Sequence, residues 1–342
     1  MTDFPQAFVL VGPTASGKSS VAQLLAEQTG APIISADSMN IYRGMDIGTA
    51  KPTAEERGAV NYFGIDLADP TEPFSVGDWL AAVRPVWGQS SHSSSGGVSP
   101  IISSFRNDEI IGLTPQGPPI VAGGTGLYVK CLLAGLDEQP AADEALRVRA
   151  EKMSLAELQA EAQNASPEAY AALADNENPR RLVRLLEKVP TLGNQKGAGS
   201  ACWKKELPTV VGLHVEREIL LKRIAARVDE MYAGGLIDEA RGLMDLELSA
   251  TAEKAIGYAE AFAVLKNEMK EAQAKERTII RTRQLAKRQM TWFRTQLNVE
   301  WVDTAGFQCL ENKKGGGSAS FQGLELLASE VSKVWKKVPV SL

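Results

Sequence analysis

An α/β fold, a parallel sheet wrapped by helices and interrupted by an all-helical insertion, is what this 342-residue sequence predicts, and three observations predict it. A short β-rich apolar run, Ala7–Val11, breaks at a glycine-rich loop and gives way to a helical pattern. Further apolar runs at Pro32–Ser35, Pro119–Ala122 and Thr209–Val215 alternate with helical stretches, the order that builds parallel strands joined by crossover helices. From about Asp143 to Lys188 the period is helical throughout, with no strand among it.

The elements follow in order. The first helix, Ser19–Gln28, sets Val21, Leu24 and Leu25 on one face. Pro119–Ala122 runs into Gly123-Gly124-Thr125-Gly126-Leu127-Tyr128. Within the helical stretch Pro167 and Pro179 mark helix starts, because a first-turn residue has no intrahelical use for the N–H that proline lacks. Thr209–Val215 returns the chain to the sheet, and long helices follow from Glu218 to about Gln296. Trp301 closes a last short strand, and Leu324, Leu327, Val331, Val334 and Val338 mark one face of a terminal helix. The expected domains are a discontinuous core at 1–139 and 207–310, a helical insertion at 140–206, and a C-terminal linker and helix at 311–342. Three stretches read as loops or linkers: Gly88–Gly117, Gly193–Ser200 and Lys313–Ser320. The first is long for a connection inside a compact domain and is expected to be dispensable decoration.

Composition narrows the function. Hydrophobic residues at 44% and charged residues at 23% are ordinary for a soluble globular protein. The start of the chain has no basic n-region, and Phe8–Val11 is too short for a signal core or a membrane span. A cytoplasmic monomer without membrane contact is the expectation. Cys131, Cys202 and Cys309 are too far apart for paired zinc spacing, so no metal or disulfide is assigned to them. Of the two histidines, His92 lies in a serine-rich stretch and His214 reads as a core imidazole. A net charge of −5 argues against a uniformly basic nucleic-acid protein but leaves room for a local basic face.

The first chemical signal is Gly12-Pro13-Thr14-Ala15-Ser16-Gly17-Lys18-Ser19, which satisfies GxxxxGK[ST] and sits after a strand, opening a helix. This makes the sheet one of the P-loop nucleotide-binding type. Such a loop turns backbone N–H groups inward around a polyphosphate, the helix N-terminus adds a favourable dipole, Lys18 adds a point charge, and Ser19 can hold Mg2+. Asp37 follows the second strand, where ligands of open parallel sheets bind. There a carboxylate can organise Mg2+ through water, accept a proton from an incoming nucleophile, or simply cap a helix. A pyrophosphate can be the end of a nucleotide or the leaving group of another molecule, and the loop alone does not separate these.

The stretch Asp37-Ser38-Met39-Asn40-Ile41-Tyr42-Arg43-Gly44-Met45-Asp46-Ile47-Gly48-Thr49-Ala50-Lys51-Pro52 closely resembles the segment typical of bacterial tRNA dimethylallyltransferases, also called tRNA isopentenyltransferases. Gly123 to Tyr128, Asn178-Pro179-Arg180-Arg181-Leu182, Gly257-Tyr258 and Thr282 to Phe293 resemble that family's motifs in the same order, over about Phe8 to Asp303. The resemblance implies a loop that grips the pyrophosphate of dimethylallyl pyrophosphate and a helical insertion that helps enclose a tRNA anticodon stem-loop. It implies transfer to N6 of the adenosine immediately 3′ of the anticodon, with Asp37 as proton acceptor, Arg217 as a cation for the leaving group, and Thr14 and Thr125 as hydrogen-bond donors near the scissile oxygen. Ser38, Met39, Asn40, Arg147, Arg180 and Arg181 become expected tRNA contacts with Asp37 and Thr125. Two departures stand out: Tyr62 and Phe63 occupy the place of one or two histidines, and Asn40 that of a glutamine.

A second reading of the residues points the same way. At the helical period Arg277, Arg281, Gln284 and Arg288 share one arc while Ile279, Thr282, Ala286, Met290 and Phe293 gather opposite. Seven basic residues between Lys275 and Arg294 against one acid, Glu276, suggest phosphate contacts, with Arg281 and Arg288 the expected ones. The rivals are an adenylate isopentenyltransferase acting on free nucleotide, a P-loop small-molecule kinase or NTPase, and an RNA-binding module without chemistry.

Overall fold

The computed structural model describes residues 6–87, 118–136, 143–173, 175–192, 207–305, 318–337 and 340–341. The chain divides into two compact units, Met1–Ala134 with Glu206–Leu342, and Gly135–Lys205. The first unit opens with β1 (Gln6–Val11), α1 (Lys18–Thr29), β2 (Ile33–Ser35), α2 (Ala54–Arg57), β3 (Tyr62–Phe63), α3 (Val76–Trp87), β4 (Ile120–Gly123) and α4 (Gly126–Ala134). The second holds α5 (Glu144–Ala150), α6 (Leu155–Ala165), α7 (Pro167–Ala171) and α8 (Pro179–Leu192). The first resumes with β5 (Thr209–His214), α9 (Arg217–Ala233), α10 (Leu236–Leu243), α11 (Ala250–Glu253), α12 (Tyr258–Leu265), α13 (Glu271–Gln296), β6 (Asn298–Asp303), α14 (Ser318–Lys337) and β7 (Val340–Ser341).

The sheet runs β3-β2-β4-β1-β5-β6, all parallel, with the short β7 pairing antiparallel to the start of β1. The inner strands β1, β2, β4 and β5 are apolar on both faces because helices cover both, whereas the edge strand β6 exposes Asn298, Glu300 and Asp303. Val9, Val11, Ile34, Val121 and Val210 enter one core, which also takes Tyr42, Trp79, Tyr128, Tyr258 and Phe293. Their neighbours Leu10, Ile33, Ile120, Ala122, Val211 and Leu213 enter the other, against α1 and α14. The terminal helix is part of this unit: Leu327, Val331 and Trp335 are buried, and Trp335 stacks on Phe8 at 4.8 Å and donates its indole N–H to the Val9 carbonyl at 3.3 Å. Val338, expected on the same face, lies outside the described residues.

The helical unit has its own small core of Ala150, Leu158, Ala162, Leu182, Leu185 and Leu186. Ser154 opens α6 as a reciprocal cap with Glu157, and Pro167 sits in the first turn of α7. Glu187, buried beside that core, accepts from Arg147 at 2.8 Å and Arg184 at 2.5 Å and from the Asp143 N–H at 3.2 Å. Burial works against the charged form of Glu187, and these partners more than offset it, holding its pKa below the usual glutamate value.

Several expectations fall elsewhere. His214 is half-exposed at the end of β5, not in the core, with Nδ1 3.8 Å from an Asp303 carboxylate oxygen. The stretches Gly88–Gly117 and Gly193–Ser200, most of Lys313–Ser320, and His92, Cys202 and Cys309 lie outside the described residues. Cys131 is buried in α4. No described helix is long and apolar enough to cross a membrane.

Candidate active site

The carboxyl ends of β1, β2, β4 and β5 meet at one edge of the sheet, and the loop Gly12–Ser19 rises from the first of them. It is a tight loop: Ser16 N–H reaches back to the Pro13 carbonyl at 3.2 Å, and Ala15 and Gly17 both take positive φ, 61° and 89°. Glycine is required at position 12 because a Cβ there would lie 2.9 Å from Oγ of the buried Ser16. Lys18 opens α1 and sends Nζ to the Pro13 carbonyl at 3.2 Å. Enclosure brings its pKa down to about 8; the negative charge of Asp37 opposes this and the positive charge of Arg227 adds to it.

The second wall follows β2 and β4. Gly123 has no room for a side chain: a Cβ would sit 2.1 Å from the Ala36 carbonyl oxygen. This close approach lets Thr125 N–H donate to the Ala36 carbonyl at 3.0 Å, while Thr125 Oγ1 accepts from Ser38 N–H at 2.9 Å and stands 3.3 Å from Ser38 Oγ. Asp37 accepts the Met39 N–H with Oδ1 at 2.9 Å, so one oxygen shapes the turn. Met39 packs its side chain toward the core. Asn40 approaches Ser35 Oγ with Nδ2 at 3.4 Å, and its Oδ1 is buried with no hydrogen-bond partner among the described residues.

The third wall comes from helices remote in sequence. Arg227, in the third turn of α9, donates to Thr14 Oγ1 at 3.0 Å; desolvation lowers its pKa while Asp37 raises it. Arg217 does not occupy this place. It is exposed at the first position of α9, about 15 Å of helix away from Arg227. From α13, Gln289 accepts the Thr14 N–H with Oε1 at 2.8 Å and donates from Nε2 to the Gly124 carbonyl at 3.1 Å. Neither charge nor spacing distinguishes Gln289 in the sequence, and Arg227 lies in an ordinary helical pattern.

Among the described residues no cluster of His, Cys, Asp or Glu forms a metal cage. The exposed hydroxyl of Ser19 at the start of α1 fits the other manner of holding Mg2+, one protein oxygen with phosphate oxygens and water completing the shell.

The second half of the long motif is scaffold. Glu239 accepts the N–H groups of Ile47 at 2.9 Å and Asp46 at 3.1 Å, and the Tyr258 hydroxyl donates to the same carboxylate. Gly48 passes so close to the Tyr258 ring that a Cβ would lie 2.4 Å from it. Lys51, with its side chain 1% exposed, donates to the Tyr42 carbonyl at 2.6 Å and pairs with Asp46 at 2.5 Å and Asp66 at 2.7 Å.

The expected tRNA arginines separate into two kinds. Arg180, Arg181 and Arg288 are exposed. Arg147 is tied to Glu187, and Arg281 is committed to structure: it meets the buried carboxylate of Glu260 at 2.5 Å and the Lys254 carbonyl at 2.8 Å. A desolvated carboxylate needs a charged partner, and Arg281 is the nearest one to Glu260.

Comparison with known proteins adds the following. A family model described as IPP transferase matches residues 40–102 and 108–296, and one described as isopentenyl transferase matches residues 5–63. A tRNA dimethylallyltransferase of Bacillus velezensis is 36% identical over 316 residues, covering 90% of this chain and 93% of the relative. One from Streptomyces coelicolor is 36% identical, covering 87% and 90%. The crystal structure of a full-length tRNA isopentenylpyrophosphate transferase from Bacillus halodurans superposes with a TM-score of 0.58 at 31% identity, covering 97% of this chain and 99% of that one. A eukaryotic dimethylallyltransferase acting on tRNA shares the fold with a TM-score of 0.68 at 19% identity, covering 98% and 81%.

Two predictions follow from the geometry. Because only the protonated Lys18 attracts an anion, affinity for inorganic pyrophosphate should be full below the free-protein pKa and decline as pH rises through about 8, by at most about tenfold per unit. Calorimetric titration of wild type beside Lys18→Arg, which stays charged, should show that limb in the first and not the second. In urea unfolding, Arg281→Gln should cost about 1–3 kcal/mol by leaving Glu260 short of a partner, and the exposed Arg288→Gln less than about 0.5 kcal/mol.

Proposed function

The chain belongs to the IPP transferase family, and from that premise we propose that it transfers the dimethylallyl group of dimethylallyl pyrophosphate to tRNA, at N6 of the adenosine immediately 3′ of the anticodon. The observation that carries this reading is one carboxylate, Asp37, whose charge acts on two enclosed cations, Lys18 within the phosphate loop and Arg227 bound to Thr14 of that loop. One chemistry needs both. A bond forms between N6 and the allylic carbon, the carbon–oxygen bond to pyrophosphate breaks, the electron pair leaves with the pyrophosphate, and N6 loses a proton.

Adenine N6 is a weak nucleophile because its lone pair is delocalised into the ring, so a positioned proton acceptor is valuable. Asp37 serves as that acceptor. Its Oδ1 is held by the Met39 N–H, which fixes the carboxylate in the turn after β2. Lys18, Arg227 and the remaining loop amides stabilise the charge gathering on the leaving group, and Thr14 is held among them by Arg227. Ser19 would hold Mg2+ together with the pyrophosphate oxygens, and the ion would neutralise part of that charge.

A target base has to leave its stack to reach this edge of the sheet, which is least costly in a single-stranded loop. The exposed Arg180, Arg181 and Arg288 serve as contacts to the tRNA backbone. A kinase or NTPase would need only the phosphate loop, whereas the IPP transferase match continues to residue 296. Transfer to free nucleotide is the second reading, and the isopentenyl transferase match within residues 5–63 leaves room for it by naming no acceptor.

Incubation with dimethylallyl pyrophosphate and either unmodified tRNA or AMP, followed by mass spectrometry of the nucleosides, should find a prenylated adenosine in tRNA. Product from AMP alone would move the assignment to the second reading. Asp37→Asn keeps the shape of the turn and removes the proton acceptor, so single-turnover transfer at saturating substrates should fall by about 10²–10⁴-fold with both substrates still bound. Turnover near wild type would remove Asp37 from the mechanism, and a loss confined to donor binding would make it part of the Mg2+ shell.

A further inference from the structure

Gln289 lies on α13, 275 positions from Thr14 and 165 from Gly124, yet its carboxamide binds the backbone of both. The arrangement uses the whole amide. Oε1 accepts the Thr14 N–H at 2.8 Å and Nε2 donates to the Gly124 carbonyl at 3.1 Å. A carboxylate offers no donor, an ammonium no acceptor, and a hydroxyl has both only on a single atom, whereas the carboxamide sets them on two atoms side by side. The Thr14 N–H is thereby a tether and not one of the amides that face pyrophosphate.

A second set of contacts makes the same joint. A Cβ on Gly124 would lie 2.3 Å from Gln289 Nε2, and one on Gly126 would lie 2.1 Å from the ring of Trp292, one turn along the same helix. The loop after β4 is therefore bare of side chains where α13 presses on it. Between those two glycines sits Thr125, whose hydroxyl oxygen accepts the Ser38 N–H next to Asp37. On the other side, Thr14 carries the hydroxyl that Arg227 holds.

Resting on the reading of the site given above, we propose that Gln289 is a positioning residue for the transfer reaction: by bracing the phosphate loop against the Thr125 loop, it sets the spacing between the leaving-group cations and Asp37. It touches neither substrate. Its action is on geometry, and small displacements of a reacting pair are costly, about 10²-fold for 1 Å.

The test is single-turnover transfer to tRNA at saturating donor, with Gln289→Met, which keeps the length and loses both hydrogen bonds. The rate should fall by about 10- to 100-fold while tRNA affinity stays within about twofold. A role confined to stability would not give the next result: in a Thr125→Val background the further loss from Gln289→Met should shrink to under about threefold, because the loop it braces no longer holds Ser38. Gln289→Glu keeps the Thr14 contact and sets a carboxylate oxygen against the Gly124 carbonyl, so it isolates the second arm and replaces Gln289→Met should that variant not fold. A wild-type rate in these variants, or the same fold-loss with and without the Thr125 hydroxyl, overturns the proposal. Binding of inorganic pyrophosphate, measured by calorimetry, stands apart from transfer and should weaken about tenfold in Gln289→Met. Wild-type protein that transfers nothing to tRNA would sink the functional reading alone, and unchanged pyrophosphate affinity would then sink the brace.

Discussion

A loop that turns its amides toward a polyphosphate cannot use them for a helix or a sheet ladder, and the rest of this structure is arranged around holding such a loop in place. Between β1 and α1 the chain makes a single short internal bond, Ser16 N–H to the Pro13 carbonyl, and adopts left-handed backbone at Ala15 and Gly17. The remaining support comes from outside: Lys18 on the Pro13 carbonyl, Arg227 on the Thr14 hydroxyl and Gln289 on the Thr14 N–H. Two of these three arrive from helices more than two hundred residues away. The parallel sheet makes this possible because it brings all the strand ends, and the helices that follow them, to one edge.

The electrostatics of the site follow from the same enclosure. Two cations and one carboxylate share a confined space, and enclosure disfavours the charged form of both Lys18 and Arg227. Asp37 favours the charged form of both cations, and Glu230 and Glu56 add to this for Arg227. In the proposed reaction a pyrophosphate supplies negative charge to the same two cations, and Asp37 is the acceptor proposed for the N6 proton.

How much of this was legible in the sequence depends on the range of the contact. The strand–loop–helix at Ala7–Gln28 and the strands at 32–35, 119–122 and 209–215 were readable because period and glycine placement are local. The two-residue β3 and β7 carry too little pattern to be seen alone, and they form because a neighbouring strand is already there. The long motif from Asp37 to Pro52 was recognisable as a unit, but its division into a working half and a scaffold half was not. Glu239, Tyr258 and Lys51 make that division through contacts that span as many as 193 positions or bury a charge entirely. Arg217 and Arg227 share one helix with the same residue type, and only the fold tells which of them turns to the loop.

Charge counting on α13 met the same limit for a different reason. Its arginines are equal in sequence and unequal in environment, since a carboxylate as buried as Glu260 withdraws the cation nearest to it. Glu260 also receives the Gly257 N–H at 2.9 Å, so the turn before α12, the start of that helix and the middle of α13 close around one carboxylate. What remains outside is Arg283, Lys287, Arg288 and Arg294, all exposed. Positions 283, 287 and 294 form one stripe, about 100° around the helix from the arc that includes Arg281 and Arg288. The basic surface of α13 is therefore broader than the arc of Arg281 and Arg288 and rotated from it, and the stripe of Arg283, Lys287 and Arg294 lies opposite Gln289 and Trp292, which press on the loops of the site.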